Sequence, residues 1–289
     1  MPELPEVETL RRVLQPVLKN REILSIQIFH PKLVKESPYS VKRAVHAKIT
    51  AVKRRAKIFL LELDNGYTLC VHLKMTGQLI HRNAEGVIRV GGHPIHNGLQ
   101  NLPNTFTGAV FLLSDNTQLF FNDQRRFAYL HCRKTGQLAT WFQSLGLGPE
   151  PNQQLRFQTF LERLHRHPKA RIKDALLDQR VLAGLGNIYA DEVNYAARVH
   201  PRRRVVSLNN QELLALYRAI LRIIKLAVTK KGTTFHHFGK GKGMGGSMQK
   251  YLHAYGRDGQ NCHQCGTILK REKIGGRSAH YCPKCQVLH

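Results

Sequence analysis

The chain has 289 residues, 42% of them hydrophobic, enough to bury two separate cores and too apolar for an intrinsically disordered protein. No apolar run is long enough to cross a bilayer as a helix, and the acidic, proline-bearing start MPELPEVETL lacks the regions of a signal peptide, so a cytoplasmic protein is expected. Its 45 Lys and Arg against 19 Asp and Glu leave a net charge of +26, a self-repulsion that a polyanion relieves; nucleic acid is the expected partner, not a membrane surface.

In chain order, Val7, Leu10, Val13, Leu14, Val17 and Leu18 recur at helical spacing and predict an opening helix. The period then changes to two. Ile49–Arg55, Lys57–Leu63 and Tyr67–Leu73 read as strands, the last two joined at Asp64-Asn65-Gly66, and Ala109–Leu113 with Gln118–Phe121 reads as another hairpin. The Gly-, Asn- and Pro-rich stretch Gly77–Thr107 between them is expected to be a long loop or a partly ordered excursion. The first half is therefore predicted as a β-sandwich with a helix at its start, residues 1–144. A linker follows at 145–152. Helical spacing returns at Phe157–His165, Ile172–Leu177, Ile188–Ala197 and about Gln211–Val228, giving a helical domain over 152–230. A Gly/Lys-rich connector, 231–259, and a cysteine-bearing segment, 260–289, complete an α+β multidomain chain.

Cys262-x2-Cys265, sixteen residues, then Cys282-x2-Cys285 has the spacing of a four-thiolate zinc ribbon with a β-hairpin between the pairs. One structural Zn2+ is expected, because four thiolates leave no open position for a reactive water. Disulfides are the alternative, disfavoured in a reducing compartment. Cys70 and Cys132 lack such spacing and read as core thiols. In Ala183-Gly184-Leu185-Gly186-Asn187, glycines precede a helix start, where free N–H groups and the helix dipole favour an anion. Asn187 there either caps the helix or donates to a phosphate; a plain packing corner is the competing reading. Pro2 stands behind Met1 in the arrangement that permits removal of the initiator methionine. Its secondary amine, with an ordinary pKa of about 8, could then attack an electrophilic carbon, with Glu3 and Glu6 beside it. The competing reading is that the prolines and glutamates merely start a helix.

Taken together, MPELPEVET, KRRAK at 53–57, HLKMTG at 72–77, NDQRRF at 122–127, IKDALLDQ at 172–179, GLGNIYADE at 184–192, GTT at 232–234, AYGR at 254–257 and the four cysteines closely resemble the formamidopyrimidine-DNA glycosylases. The resemblance implies an N-terminal β-sandwich, a helix-two-turn-helix domain and a C-terminal zinc-finger hairpin, with damaged double-stranded DNA bound between domains by a monomer. It implies Pro2 as nucleophile at C1′ of the damaged nucleotide and Glu3 as the acid that opens the sugar. Glu6 would hold the active site or the nucleotide, and Lys57 would contact the backbone near the lesion. Lys173, Asn187 and Arg277 would grip the lesion-side phosphates. Met75, Arg125 and Phe127 would fill the gap left by an extruded base, although taken singly Met75 and Phe127 also read as core residues. The segment Gly232–Ser247 would cover that base. Lys74, Gln124, Ala128, His236 and His237 depart from the family's usual residues.

The implied activity is a bifunctional glycosylase/AP lyase for oxidised purines, acting by Schiff base and β,δ-elimination in the bacterial cytoplasm at the nucleoid. The competing functions are an endonuclease VIII-like enzyme for oxidised pyrimidines and a non-catalytic zinc-ribbon DNA-binding protein.

Overall fold

The computed structural model describes residues 1–86, 88–92, 101–233 and 246–288. The chain forms two compact units. One comprises Met1–Gln143 with Lys230–Ser247, the other Ser144–Thr229 with Met248–His289.

The first unit opens with α1 (Leu4–Leu18), three residues earlier than the hydrophobic spacing predicts. Pro5 sits in the first turn, where its missing N–H would have had no helical partner anyway. Among the described residues nine strands follow: β1 (Ile23–Ile28), β2 (Ile49–Arg55), β3 (Ile58–Leu63), β4 (Tyr67–His72), β5 (Gly77–Arg82), β6 (Ile88–Gly92), β7 (Thr107–Leu113), β8 (Gln118–Asp123) and β9 (Tyr129–Lys134). They make two antiparallel sheets, ordered β1-β7-β8-β5-β6 and β2-β3-β4-β9. Alternate residues of both sheets, such as Phe59, Leu61, Leu69, Val71, Phe111 and Phe121, meet Leu10, Leu14 and Leu18 of α1 in one core. The short helix α2 (Leu138–Ser144) follows.

The stretch Gly77–Thr107 is partly ordered and not a continuous loop, for β5 and β6 occupy most of its first half. β5 lies inside its sheet, paired on both edges, and is buried on both faces, so the alternation that marks a half-exposed strand is absent. Its residues 87 and 93–100 lie outside the described residues. Both lone thiols are buried and free, and burial pushes Cys70 up to about 12 and Cys132 up to about 11, as expected of inert core cysteines.

The second unit holds α3 (Phe157–His165), α4 (Ile172–Leu177), α5 (Asn187–Ala196), α6 (Asn210–Thr229) and the hairpin β10 (Lys270–Ile274) with β11 (Arg277–Tyr281). α6 buries Leu213, Leu216, Ala219, Ile220, Ile223, Ile224 and Ala227 along one stripe. α5 is buried from Ile188 to Tyr195, its acidic residues included. Glu192 explains how: its carboxylate accepts the backbone N–H groups of His253, Ala254 and Tyr255, fastening the AYGR segment to the helix. Among the described residues no helix is long and apolar enough to cross a membrane.

Candidate functional site

In the first unit the reactive candidates gather at the start of α1. Met1 is exposed, while Pro2 is buried and Glu3 is 2% exposed. Glu6 organises the turn. One of its oxygens accepts the N–H of Glu3 at 2.9 Å; the other accepts the N–H and hydroxyl of Thr233, at 2.8 and 3.2 Å. The segment carrying Thr233 is pinched at its base, where Ser247 N donates to Lys230 O at 2.8 Å. Gly232 has φ +74°, and a Cβ there would lie 2.6 Å from Glu6 Oε1, so only glycine lets the backbone come this close. Residues 234–245, including His236, His237 and most of the expected covering segment, lie outside the described residues. In the chain as written the Pro2 nitrogen is an amide; removal of Met1 would make it a secondary amine.

Lys57 falls in the two-residue turn between β2 and β3, not on the strand as the alternation suggests. Ala56 takes a left-handed conformation there (φ +52°), and Lys57 is buried. Burial and the charges of Lys74 and Lys57 push His72 down to about 3, so its ring is neutral at physiological pH. Its Nδ1 accepts the N–H of Lys74 at 2.9 Å, which leaves Nε2 to carry the proton and act as a donor. The HLKMTG motif contains His72, but spacing alone assigns it no task.

Met75, Arg125 and Phe127 come together. Arg125 Nη1 lies 3.1 Å from Met75 Sδ, and its guanidinium carbon is 4.9 Å from the centre of the Phe127 ring. Phe127 is 50% exposed, which rules out the core-packing reading for it. The loop bearing it is held by Asp123, a residue the sequence reading overlooked. The Asp123 carboxylate accepts the Thr76 hydroxyl, the N–H of Arg125 at 3.2 Å and the N–H of Ala128 at 2.7 Å.

In the second unit, Gly186 takes the N-cap position of α5 and Asn187 the first helical one, so Asn187 does not cap the helix. Its Nδ2 instead lies 3.3 Å from Ser278 Oγ on β11. Arg277, the residue before, is exposed just past the turn Gly275-Gly276, whose φ values of +55° and +79° fit a type I′ hairpin. Lys173 departs from its expected place among the phosphate ligands. It is 0% exposed, ion-paired with Asp191 and donating to the Ser278 carbonyl at 2.6 Å. An ammonium so occupied and enclosed cannot also meet a solvent-borne phosphate.

The cysteine spacing has its predicted consequence. The four Sγ atoms of Cys262, Cys265, Cys282 and Cys285 lie within 4.8 Å of one another, and none is in a disulfide. Tetrahedral zinc with bonds of about 2.3 Å separates its thiolates by about 3.8 Å. Cys262–Cys285 at 3.9 Å and Cys265–Cys282 at 3.5 Å match. Gln264 and Cys285 aim backbone N–H groups at Cys262 and Cys282 sulfur, both at 3.4 Å, and Tyr195 Oη lies 3.1 Å from Cys262 Sγ. The donor set fits one structural zinc, with a supporting shell already in place.

A sandwich headed by a helix, a glycine-led helix pair and a four-cysteine hairpin together define a helix-two-turn-helix protein with a zinc finger. Three family models match in succession: the formamidopyrimidine-DNA glycosylase N-terminal domain over residues 1–130, its H2TH domain over 147–238, and the zinc finger found in FPG and IleRS over 259–287. The formamidopyrimidine-DNA glycosylase of Pelotomaculum thermopropionicum is 40% identical across 99% of each chain, and that of Bacillus cereus 36% identical across 99% of each. Among solved structures, a Lactococcus lactis FPG mutant in complex with Fapy-dG containing DNA superposes with a TM-score of 0.89 at 30% identity, covering 99% of this chain and 100% of that one. The Lactococcus lactis Fpg complex with abasic site containing DNA gives 0.86 at 29% identity, with the same coverage. The chain belongs to the formamidopyrimidine-DNA glycosylase family.

Proposed function

We propose that the protein is a bifunctional DNA glycosylase and AP lyase of base excision repair, removing oxidised purines such as 8-oxoguanine and formamidopyrimidines from double-stranded DNA. The observation that carries this reading is the arrangement at the start of α1: Pro2 and Glu3 lie at its head, and Glu6 ties that turn to Thr233.

With Met1 removed, the Pro2 nitrogen attacks C1′ of the damaged nucleotide, and the bond from C1′ to the base breaks with its electron pair going to the base, which takes up the proton that the nitrogen gives up. Glu3 protonates the sugar ring oxygen, the ring opens, and an iminium joins nitrogen to C1′. That cation acidifies the C2′ hydrogens. Loss of one expels the phosphate on the 3′ side, and a second elimination expels the 5′ phosphate. C1′ is reached only in an extruded nucleotide. Met75 and Phe127 supply apolar surface to the gap, and Arg125 hydrogen-bonds the orphaned base. Lys57, His72, Asn187 and Arg277 hold phosphates, and zinc keeps the hairpin that bears Arg277 folded. One copy of the chain contains every group used, so the enzyme acts as a monomer, in the cytoplasm where the nucleoid lies.

Blocking the Pro2 nitrogen in an amide with an added N-terminal residue is expected to abolish the covalent adduct that borohydride traps on abasic DNA while leaving affinity for lesion-bearing duplex within about twofold. An equal adduct yield overturns the nucleophile. Excision from duplexes bearing 8-oxoguanine, formamidopyrimidine or an oxidised pyrimidine tests the substrate class, and a preference for the pyrimidine overturns that part.

A further inference from the structure

Within the second unit, four residues from α4, α5 and β11 form a polar knot, which His280 Nε2 extends to Asp258 at 3.5 Å. Lys173 of α4 is ion-paired with Asp191 of α5 and donates to the carbonyl of Ser278 on β11. The other oxygen of Asp191 accepts both the backbone N–H of His280, at 3.0 Å, and its ring Nδ1–H, at 2.9 Å. Lys173, Asp191 and His280 are all buried. The tip of the hairpin is equally close to α4, since a Cβ on Gly275 would lie 2.0 Å from Asp174 Oδ1.

The knot lies beside the two candidates for phosphate binding, the exposed Arg277 and the half-buried Asn187. Asn187 precedes Asp191 by four residues, one turn up the same face of α5. Arg277 immediately precedes Ser278, whose carbonyl is held by Lys173 and whose hydroxyl faces Asn187. A buried ion pair gives little net stability but fixes geometry, because moving either charge leaves the other unpaired in a closed interior.

We infer that Lys173 is a positioning residue: with Asp191 and His280 it clamps β11 onto α4 and α5, setting Arg277 and Asn187 as one rigid anion grip. This rests on the proposed role of Arg277 and Asn187 in holding DNA phosphates.

The test is a double-mutant cycle read as Kd for a duplex containing a non-cleavable abasic-site analogue, at a temperature where circular dichroism shows every variant folded. Lys173→Met is expected to weaken binding about tenfold in the wild-type background and less than about twofold in an Arg277→Ala background, the non-additivity of groups acting as a unit. Asp191→Asn, which is isosteric and serves if Lys173→Met does not fold, is expected to behave the same way. If each substitution costs the same in both backgrounds, Lys173 acts on DNA independently of Arg277 and the inference fails. A lowered Tm with unchanged Kd reduces the knot to a structural element and also defeats it. If Arg277→Ala leaves Kd unchanged, the phosphate-grip reading itself falls, and the inference with it.

Discussion

Replacing Asp123 by alanine should damage both stability and DNA handling, and the two losses can be separated. The carboxylate is 5% exposed and accepts three hydrogen bonds, from Thr76, Arg125 and Ala128. Ala128 is also buried, so its N–H loses an acceptor where water is excluded, a cost of about 1–3 kcal/mol; the other two bonds contribute about 1 kcal/mol each. The expected loss is therefore about 3–5 kcal/mol, read by urea unfolding at neutral pH. The loop it staples carries Arg125 and Phe127. Single-turnover excision from lesion-bearing duplex should accordingly slow by at least tenfold, about 1.4 kcal/mol in the barrier. Borohydride trapping on single-stranded abasic DNA, which needs no gap filled, should keep its wild-type yield. A stability change below about 1 kcal/mol would refute the claim that Asp123 staples the loop. An equal loss on single-stranded substrate would show that the damage is global and not confined to the wedge.

Glu8 gives a pH dependence. Its burial opposes ionisation, but hydrogen bonds from Arg11 and Arg12 and the charges of Arg11 and Arg54 overcome it and hold the carboxyl at about 2. The unfolded chain binds a proton there first, so the stabilisation is complete above the ordinary glutamate range and disappears as pH falls from about 4.5 to 2; Glu8→Gln should remove about 2–3 kcal/mol at pH 7 and flatten that acid limb in urea titrations. Equal acid limbs for both proteins would contradict the assignment. Zinc removal by a chelator should unfold the hairpin, whose small core consists of Tyr195, Ala254, Leu269 and the cysteines, and weaken DNA binding. The single tryptophan, Trp141, belongs to the first unit, so its fluorescence should not change. Gly232→Ala forces a left-handed alanine, about 1–2 kcal/mol, and drives a methyl group into Glu6. Lower trapping yield with a modest fall in Tm is expected, and full activity would show that the Glu6–Thr233 contact is dispensable.

Much of this was legible in the amino-acid order because the signals were local. The helices over 157–165 and 172–177 and the strand over 49–55 have the predicted bounds. The zinc site follows from two short turns whose geometry the cysteine spacing dictates. What escaped was decided by tertiary surroundings. β5 has no exposed face to betray its period. β1 and β9 are not among the expected strands, although each pairs along its length with one that is. Asp123 and Asp191 look like ordinary surface acids until their partners arrive, 47 and 18 residues away, and only then do they become buried hubs. Lys173 shows the converse. A lysine in a basic, DNA-binding sequence suggests phosphate, yet the fold supplies a carboxylate and a carbonyl that claim it first.

The first unit is not a contiguous stretch of polypeptide: it takes 1–143 and then borrows 230–247 after an excursion through the other. A gene fragment ending near 143 would therefore lack Thr233 and leave Glu6 without its hydrogen-bond donors from that residue. Swapping the front half between relatives carries the same penalty, because the graft separates the head of α1 from the strip that completes it. A single cut near residue 143 therefore cannot yield the whole of this unit, because its second segment lies beyond the other unit's helices.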